Sequence, residues 1–335
     1  MNRVLALAAL LSACTNSGTE VRGPPSASPP WQPGATLVEV AVIGDVVQAG
    51  RTDRARATAT LVTAHRPAVQ AVLLSGDNAR LGVGASGISL LQYYQQYWAP
   101  AAEGNWGQFD GISLPTPGNH EYIETDAKGY FSYFADRLLS ITQLPSYSGS
   151  AVVVGRGWYS VDLNGWHIIS LNSMCSAVGG CQAGSPQEQW LAADLAAHRD
   201  SPTVAFWHEP RFACGAHGDV PALQALWADL VAGGVDLVFA GHNHFYQRYR
   251  PLDAAGVVDE ANGLTEVTAG SGGVTPYAVC STVDARVATQ VGGEPSVGVV
   301  FLTLASDGGW ELEYQLASDG SVFDAVSGVS HHARR

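Results

Sequence analysis

Four times in this chain an apolar run stops at a glycine, and the next position holds a side chain able to ligate a metal. The four stops are Gly44-Asp45, Gly76-Asp77, Gly118-Asn119-His120 and Gly241-His242, and a fifth run, 203–207, stops directly at His208. Glycine at a strand end permits unusual backbone angles and close approach, and in α/β sheets function gathers in the crevice at the carboxyl ends of the strands. A fold that satisfies all five stops brings five strand ends to one edge. Singly each is weak, because an aspartate after a strand usually caps or turns and a strand-end histidine is usually structural. Together they offer carboxylate oxygens and neutral imidazoles, a donor set suited to Zn, Mn or Fe(II) in which a carboxylate can bridge two cations. Two cations about 3.5–4 Å apart clamp an in-line displacement at phosphorus.

The rest of the chain reads as α/β layers. Strands are expected at 36–43, 69–75, 203–207 and 235–240. The Ala-rich segment 51–66, with Asp53 near its start, suits a crossover helix and makes the first two strands parallel. A second helix begins at Ser185, with Pro186 in the first helical position and Glu188 placed for a capping box. Asn164-Gly165 joins an antiparallel hairpin over 158–171. Further strands at 264–270, 297–305 and 310–316 make the sheet system mixed. One catalytic domain over 36–328 and a loose tail over 329–335, including His331 and His332, follow. His65, His167 and His198 read as structural; Tyr122, Phe245 and Tyr246 line a wall or sit in the core, with Phe245 assigned to the core.

Residues 1–14 carry one positive charge, Arg3, an apolar run and small residues, matching a secretory signal too short to span a bilayer. Leu11-Ser12-Ala13-Cys14 resembles a bacterial lipobox that lipidates Cys14. Residues 15–35, rich in Pro, Ser and Gly, read as a tether. An exported protein anchored to a bacterial membrane through lipid alone, in the periplasm or at the cell surface, is expected. Cys175, Cys181, Cys214 and Cys280 remain, an even set for an oxidising compartment. Of three possible connectivities, Cys175–Cys181 with Cys214–Cys280 is favoured. The net charge of -13 repels polyanions, so no nucleic-acid partner is expected.

The blocks GD at 44–45, GDN at 76–78, GNHE at 118–121, WHEP at 207–210 and GHNH at 241–244 resemble, in order and spacing, those of the calcineurin-like metallophosphoesterases and their purple acid phosphatase-like branch. The resemblance implies a four-layer α/β/β/α sandwich of two mixed sheets flanked by helices. It implies two divalent ions, one held by Asp45, Asp77 and His244 and the other by Asn119, His208 and His242, with Asp77 bridging. His120 would protonate the leaving oxygen, oriented by Glu121. The implied reaction is hydrolysis of small phosphate monoesters, or diesters, by metal-activated water without a phosphoenzyme.

Two positions depart from the pattern. Arg80 stands where purple relatives have a ligating tyrosine, so no ferric-tyrosinate centre is expected, and Val47 stands where many relatives have His or Gly. Arg80, His217 and Glu121 are candidate substrate contacts. The same two departures motivate an alternative, a weakly active or non-catalytic surface lipoprotein whose first metal site is degraded. Residues 82–87, GVGASG, satisfy G-x-G-x-x-G but do not join a strand directly to a helix, so a dinucleotide site is rejected.

Overall fold

A computed structural model describes residues 28–82, 87–139, 156–282 and 284–333. Cys14, the signal segment and most of the tether lie outside the described residues. Among the described residues thirteen strands form two mixed sheets. The first sheet contains β1 (Leu37–Ile43), β2 (Ala71–Ser75), β3 (Ser113–Thr116), β11 (Gly298–Ala305), β12 (Gly309–Leu316) and β13 (Val322–Val329), in the order β13-β12-β11-β1-β2-β3. The second contains β4 (Tyr159–Leu163), β5 (Trp166–Ser170), β6 (Thr203–Phe206), β7 (Leu237–Ala240), β8 (Tyr246–Tyr249), β9 (Thr265–Ala269) and β10 (Val287–Val291), in the order β10-β8-β9-β7-β6-β5-β4.

The sandwich follows from where apolar side chains are continuous. Strands buried on both faces read as near-continuous apolar runs; β2, β6 and β7 are such runs apart from a terminal Ser75 or Thr203, and β1 is one apart from Glu39. The helix Thr52–Ala64 crosses between β1 and β2, which pair in parallel as expected. It turns Ala55, Ala59 and Val62 inward. Side chains of both sheets, among them Val40, Leu73, Ile168, Phe206 and Phe239, share one core. Beyond the second sheet, Leu191 of the helix Pro186–Ala197 and Leu226, Trp227 and Leu230 of the helix Gln224–Ala232 close a second core.

The hairpin forms as read: β4 and β5 are antiparallel, with Asn164 and Gly165 at φ 53° and 84°, the left-handed pair that a tight two-residue turn requires. Ser185 caps its helix by accepting the Glu188 N–H at 3.4 Å. The reciprocal half of the capping box is displaced. Ser185 N–H already donates to Gln182 O, so the Glu188 carboxylate takes the Gly184 N–H instead, at 2.7 Å.

Four strands escape the sequence pattern. β3 carries Pro115, which is tolerated because β3 is an edge strand. β8 is polar in sequence, and β10 and β13 are edge strands, mostly part-exposed, whose apolar residues are interrupted by polar ones. The expected loose ends are partly packed. Gln32 N–H donates to Asp307 Oδ2 at 2.6 Å, so the last residues of the tether dock on the turn after β11. At the other end, His331 N–H donates to Asp236 Oδ1 and the His332 ring meets Gly233 O at 2.9 Å. The Asp236 carboxylate and the Gly233 carbonyl, in the connection leading into β7, hold residues that composition alone marks as a tail. Both expected disulfides are present, Cys175–Cys181 and Cys214–Cys280. Among the described residues no helix is long and apolar enough to cross a membrane.

Candidate metal centre

All five ligand-bearing turns leave carboxyl ends of neighbouring strands. Asp45 follows β1, Asp77 follows β2 and Asn119 follows β3 on the first sheet; His208 follows β6, while His242 and His244 follow β7 on the second. The turns are tied to each other by backbone hydrogen bonds, including Asp45 N–H to Gly76 O and Gly241 N–H to His208 O. Asp45, Asp77 and His242 adopt left-handed backbones, φ 56°, 48° and 67°. Such conformations cost a non-glycine residue about 1 kcal/mol or more and persist where surrounding structure over-determines them. The glycines permit the approach: a Cβ on Gly118 would collide with Asp77 Oδ1, and one on Gly241 would lie 2.7 Å from Asp45 Oδ2.

The six side chains meet. Asn119 Oδ1 lies 3.0 Å from both His208 Nε2 and His242 Nδ1. His208 Nε2 is 3.4 Å from Asp77 Oδ1, and His244 Nε2 is 3.3 Å from Asp45 Oδ1. One donor atom each of Asp45, Asp77 and His208 falls within 4.8 Å of the others, and all three residues are buried.

Ring orientation is set from behind. The carbonyl of Ser75 takes the proton of His208 Nδ1 at 2.8 Å, and that of Thr275 takes the proton of His244 Nδ1 at 2.8 Å. Carbonyls only accept, so each Nε2 carries a lone pair into the centre, facing carboxylate or amide oxygen. Asp45 Oδ1 is buried with no hydrogen-bond partner. Imidazole lone pairs facing carboxylate and amide oxygens, with Asp45 Oδ1 left without a donor, fit divalent cations, and carbonyl-held imidazoles are the usual outer support of such sites.

The protonation balance agrees. Burial, reinforced by the charge of Asp45, holds the Asp77 carboxyl well above its ordinary range. Burial also acts on Asp45, but His244, then His208 and His242, outweigh it and bring the group below that range. Two carboxylates buried this close repel unless a proton or a cation lies between them. Burial and the neighbouring His208 lower His242 to about 3, leaving it neutral, as metal ligation requires.

The other candidates separate into rim, support and core. His120 points Nδ1 at Leu81 O, 2.6 Å away, and its Nε2 stands 3.8 Å from Asp77 Oδ2. Burial, with the charge of Arg80 adding, lowers it to about 4. Leu81, not Glu121, therefore orients this ring. Glu121 is no substrate contact either, being fully buried. Its carboxylate accepts N–H groups of Gly118 at 2.6 Å, Asp77 at 2.9 Å and Asn78 at 3.1 Å, and the Tyr94 hydroxyl at 2.8 Å. It splices the Asp77 and Asn119 turns together. Burial, then Asp77, raises it to about 7.

His217 is exposed and packs its ring 4.3 Å from that of His242. Arg80 reaches Asp77, and Val47 is buried and bridges to Ala79, offering no ligand. Phe245 and Tyr246 are core, and Tyr122 is half-buried with its hydroxyl bonded by Asn172. His65, His167 and His198 are structural, as read: His65 stacks on Phe301, and His198 stacks on His167, which lies between Asp162 and Asp194. Sequence reasoning missed Tyr277, whose ring stacks on His244 at 3.9 Å. It sits in the loop after β9, in no ligand block, and only the Cys280 pairing with Cys214 hinted that this loop approaches the centre.

The calcineurin-like phosphoesterase family model matches residues 38–246, a stretch that contains every one of these ligand turns. The chain belongs to the calcineurin-like phosphoesterases. Within the family its likeness is to the purple acid phosphatase-like branch. Purple acid phosphatase 22 of Arabidopsis thaliana is 28% identical over 257 residues, 71% of this chain and 50% of that protein. Purple acid phosphatase 21 of the same plant is 32% identical over 148 residues, 42% of this chain and 31% of that protein. The chain thus spans half or less of these relatives. A purple acid phosphatase from yellow lupin (Lupinus luteus) seeds matches with a TM-score of 0.64 at 16% identity, over 91% of this chain and 56% of that one. That likeness is one of fold.

Proposed function

We propose that this calcineurin-like phosphoesterase is an exported hydrolase of small phosphate esters that works with two divalent cations, Zn, Mn or Fe(II). The observation that carries the reading is the meeting of six donor side chains from five strand ends, with Asp45 Oδ1 buried among them and without a hydrogen-bond partner. Asp45, Asp77 and His244 would hold one cation and Asn119, His208 and His242 the other, with the Asp77 carboxylate shared. Bound there, the cations would polarise phosphoryl oxygens and supply a water nucleophile near neutral pH.

The chain's own groups do the rest. Ser75 and Thr275 carbonyls fix the ligand tautomers of His208 and His244, and Glu121 fixes the spacing of two turns. The Leu81 carbonyl takes the Nδ1 proton of His120, so Nε2 is the ring atom facing the centre, and it would give a proton to a leaving oxygen only from the imidazolium form. His217 and Tyr277 form a rim on which the ester group would rest.

Export rests on the two disulfides, which persist in oxidising compartments, and on the signal-like start. Lipid attachment at Cys14 is part of the same proposal, with no nucleic-acid partner on charge grounds. The second reading, a surface lipoprotein that binds without turnover, draws on buried Val47 and on Arg80 beside Asp77.

The deciding assay adds Mn, Zn or Fe(II) back to metal-stripped protein and follows chromogenic mono- and diesters. Hydrolysis that depends on added metal and vanishes in Asp77→Ala is expected. Turnover undiminished in Asp77→Ala refutes the proposal, and metal uptake without turnover favours the second reading.

A further inference from the structure

Arg80 is the residue of the centre that no ligand role absorbs. Pairing of β1 with β2 continues past the ligand turns: Val47 bridges Ala79 in parallel, and Arg80 N–H donates to Val47 O at 2.8 Å. This fixes the backbone three residues beyond Asp77. The side chain, 22% exposed, places Nε 3.9 Å from Asp77 Oδ2, too far for a hydrogen bond, and that Nε is buried without a partner. Three other arginines with part-buried heads meet a carboxylate at bonding distance, Arg54 with Glu294 at 3.0 Å, Arg248 with Asp324 at 2.7 Å and Arg286 with Asp284 at 2.6 Å, and Arg211 is bonded by Gln224 Oε1 at 2.7 Å. Arg80 is left facing a carboxylate that the metal centre also uses.

The two oxygens of Asp77 have different neighbours. Oδ1 faces His208 Nε2 and accepts the His120 N–H at 2.9 Å. Oδ2, the oxygen remaining for a cation held by Asp45 and His244, has Arg80 beside it. In a buried site, where screening is weak, a guanidinium within a few ångströms of an entering dication opposes it strongly.

We infer that Arg80 makes the two metal positions unequal, weakening the one formed by Asp45, Asp77 and His244. The inference rests on the dinuclear reading above but concerns affinity, not turnover. The test is calorimetric titration of Mn(II) into the metal-free full chain. The wild type binds one equivalent at least tenfold more tightly than the second. Arg80→Gln tightens the weak equivalent at least tenfold, about 1.4 kcal/mol, whereas Arg80→Lys, which keeps the charge, leaves it weak.

Thermal unfolding of each variant with and without Mn(II) reports folding separately, and Arg80→Met replaces the Gln variant if that one does not fold. Equal affinities in the wild type, or constants in Arg80→Gln within twofold of the wild type, overturn the inference alone. Tightening in Arg80→Lys equal to that in Arg80→Gln overturns it too, because geometry rather than charge would then be responsible. No Mn(II) binding in any variant removes both this inference and the dinuclear reading.

Discussion

Replacing Glu121 by Gln tests how the centre is built. The carboxylate takes four hydrogen bonds: Oε2 accepts from Asp77 N–H and Gly118 N–H, and Oε1 from Asn78 N–H and the Tyr94 hydroxyl. An amide keeps one accepting oxygen and turns the other position into a donor. Tyr94 can rotate its hydroxyl to accept, but at least one backbone N–H then faces an NH2 group with no water to replace the bond. A buried donor left unsatisfied costs about 1–3 kcal/mol, and the surviving bonds weaken from charged to neutral. A loss of about 2–4 kcal/mol follows. For a chain of this size that is a fall in Tm of roughly 3–6 °C, measured by circular dichroism on metal-free protein. The spliced turns carry Asp77 and Asn119, so Mn(II) affinity should also fall about 10–100-fold, the usual effect of losing a ligand's outer support. A Tm within 1 °C of the wild type together with unchanged Mn(II) affinity would show that the splice is not what holds these turns.

Other perturbations reach other parts of the account. Asp77→Asn removes one of two mutually repelling buried carboxylates, so metal-free stability should hold or rise. The gain in stability on adding metal, about 2.7 kcal/mol at a hundredfold excess over Kd, should disappear in a thermal-shift assay. Gly118→Ala pushes a methyl group into Asp77 Oδ1 and should lower Mn(II) affinity at least tenfold by calorimetry, without unfolding the chain. His167 is buried, which lowers its pKa, but hydrogen bonds from its ring to Asp162 and Asp194 outweigh burial and raise it. Its contribution is therefore complete below about pH 6.5 and lost as pH rises through the folded value. In His167→Asn the urea midpoint should lose that decline above pH 6.5, with Asp162, Asp194 and His198 the other charges facing the site. Reducing Cys214–Cys280 should cost about 2–4 kcal/mol and free the loop that carries His217, raising KM more than it lowers kcat.

The meeting of the candidate ligands was legible because all but His208 are tied to a local backbone need. A left-handed turn or a close approach calls for glycine, and the ligand follows at a fixed offset. Strands β1, β2, β6 and β7 were legible because burial on both faces leaves near-continuous apolar runs, broken in β1 only by Glu39. What stayed hidden is what only the third dimension supplies. Glu121 looks like a partner for adjacent His120, yet it serves a turn 43 or 44 residues away. The Ser75, Thr275 and Leu81 carbonyls carry no sequence signal because every residue has one. β3 and β13 are edge strands whose proline or polar residues are tolerated by position in the sheet, and His332 looks like a tail until Gly233 is beside it.

Crystals of the Mn(II)-loaded protein, with an anomalous difference map at the manganese edge, test the central claim most directly. Two peaks are predicted at the meeting point of the five strand ends. One lies among Asp45, Asp77 and His244, the other among Asn119, His208 and His242, with the Asp77 carboxylate touching both. Absence of anomalous density there in fully loaded crystals, or manganese bound only elsewhere, would contradict it.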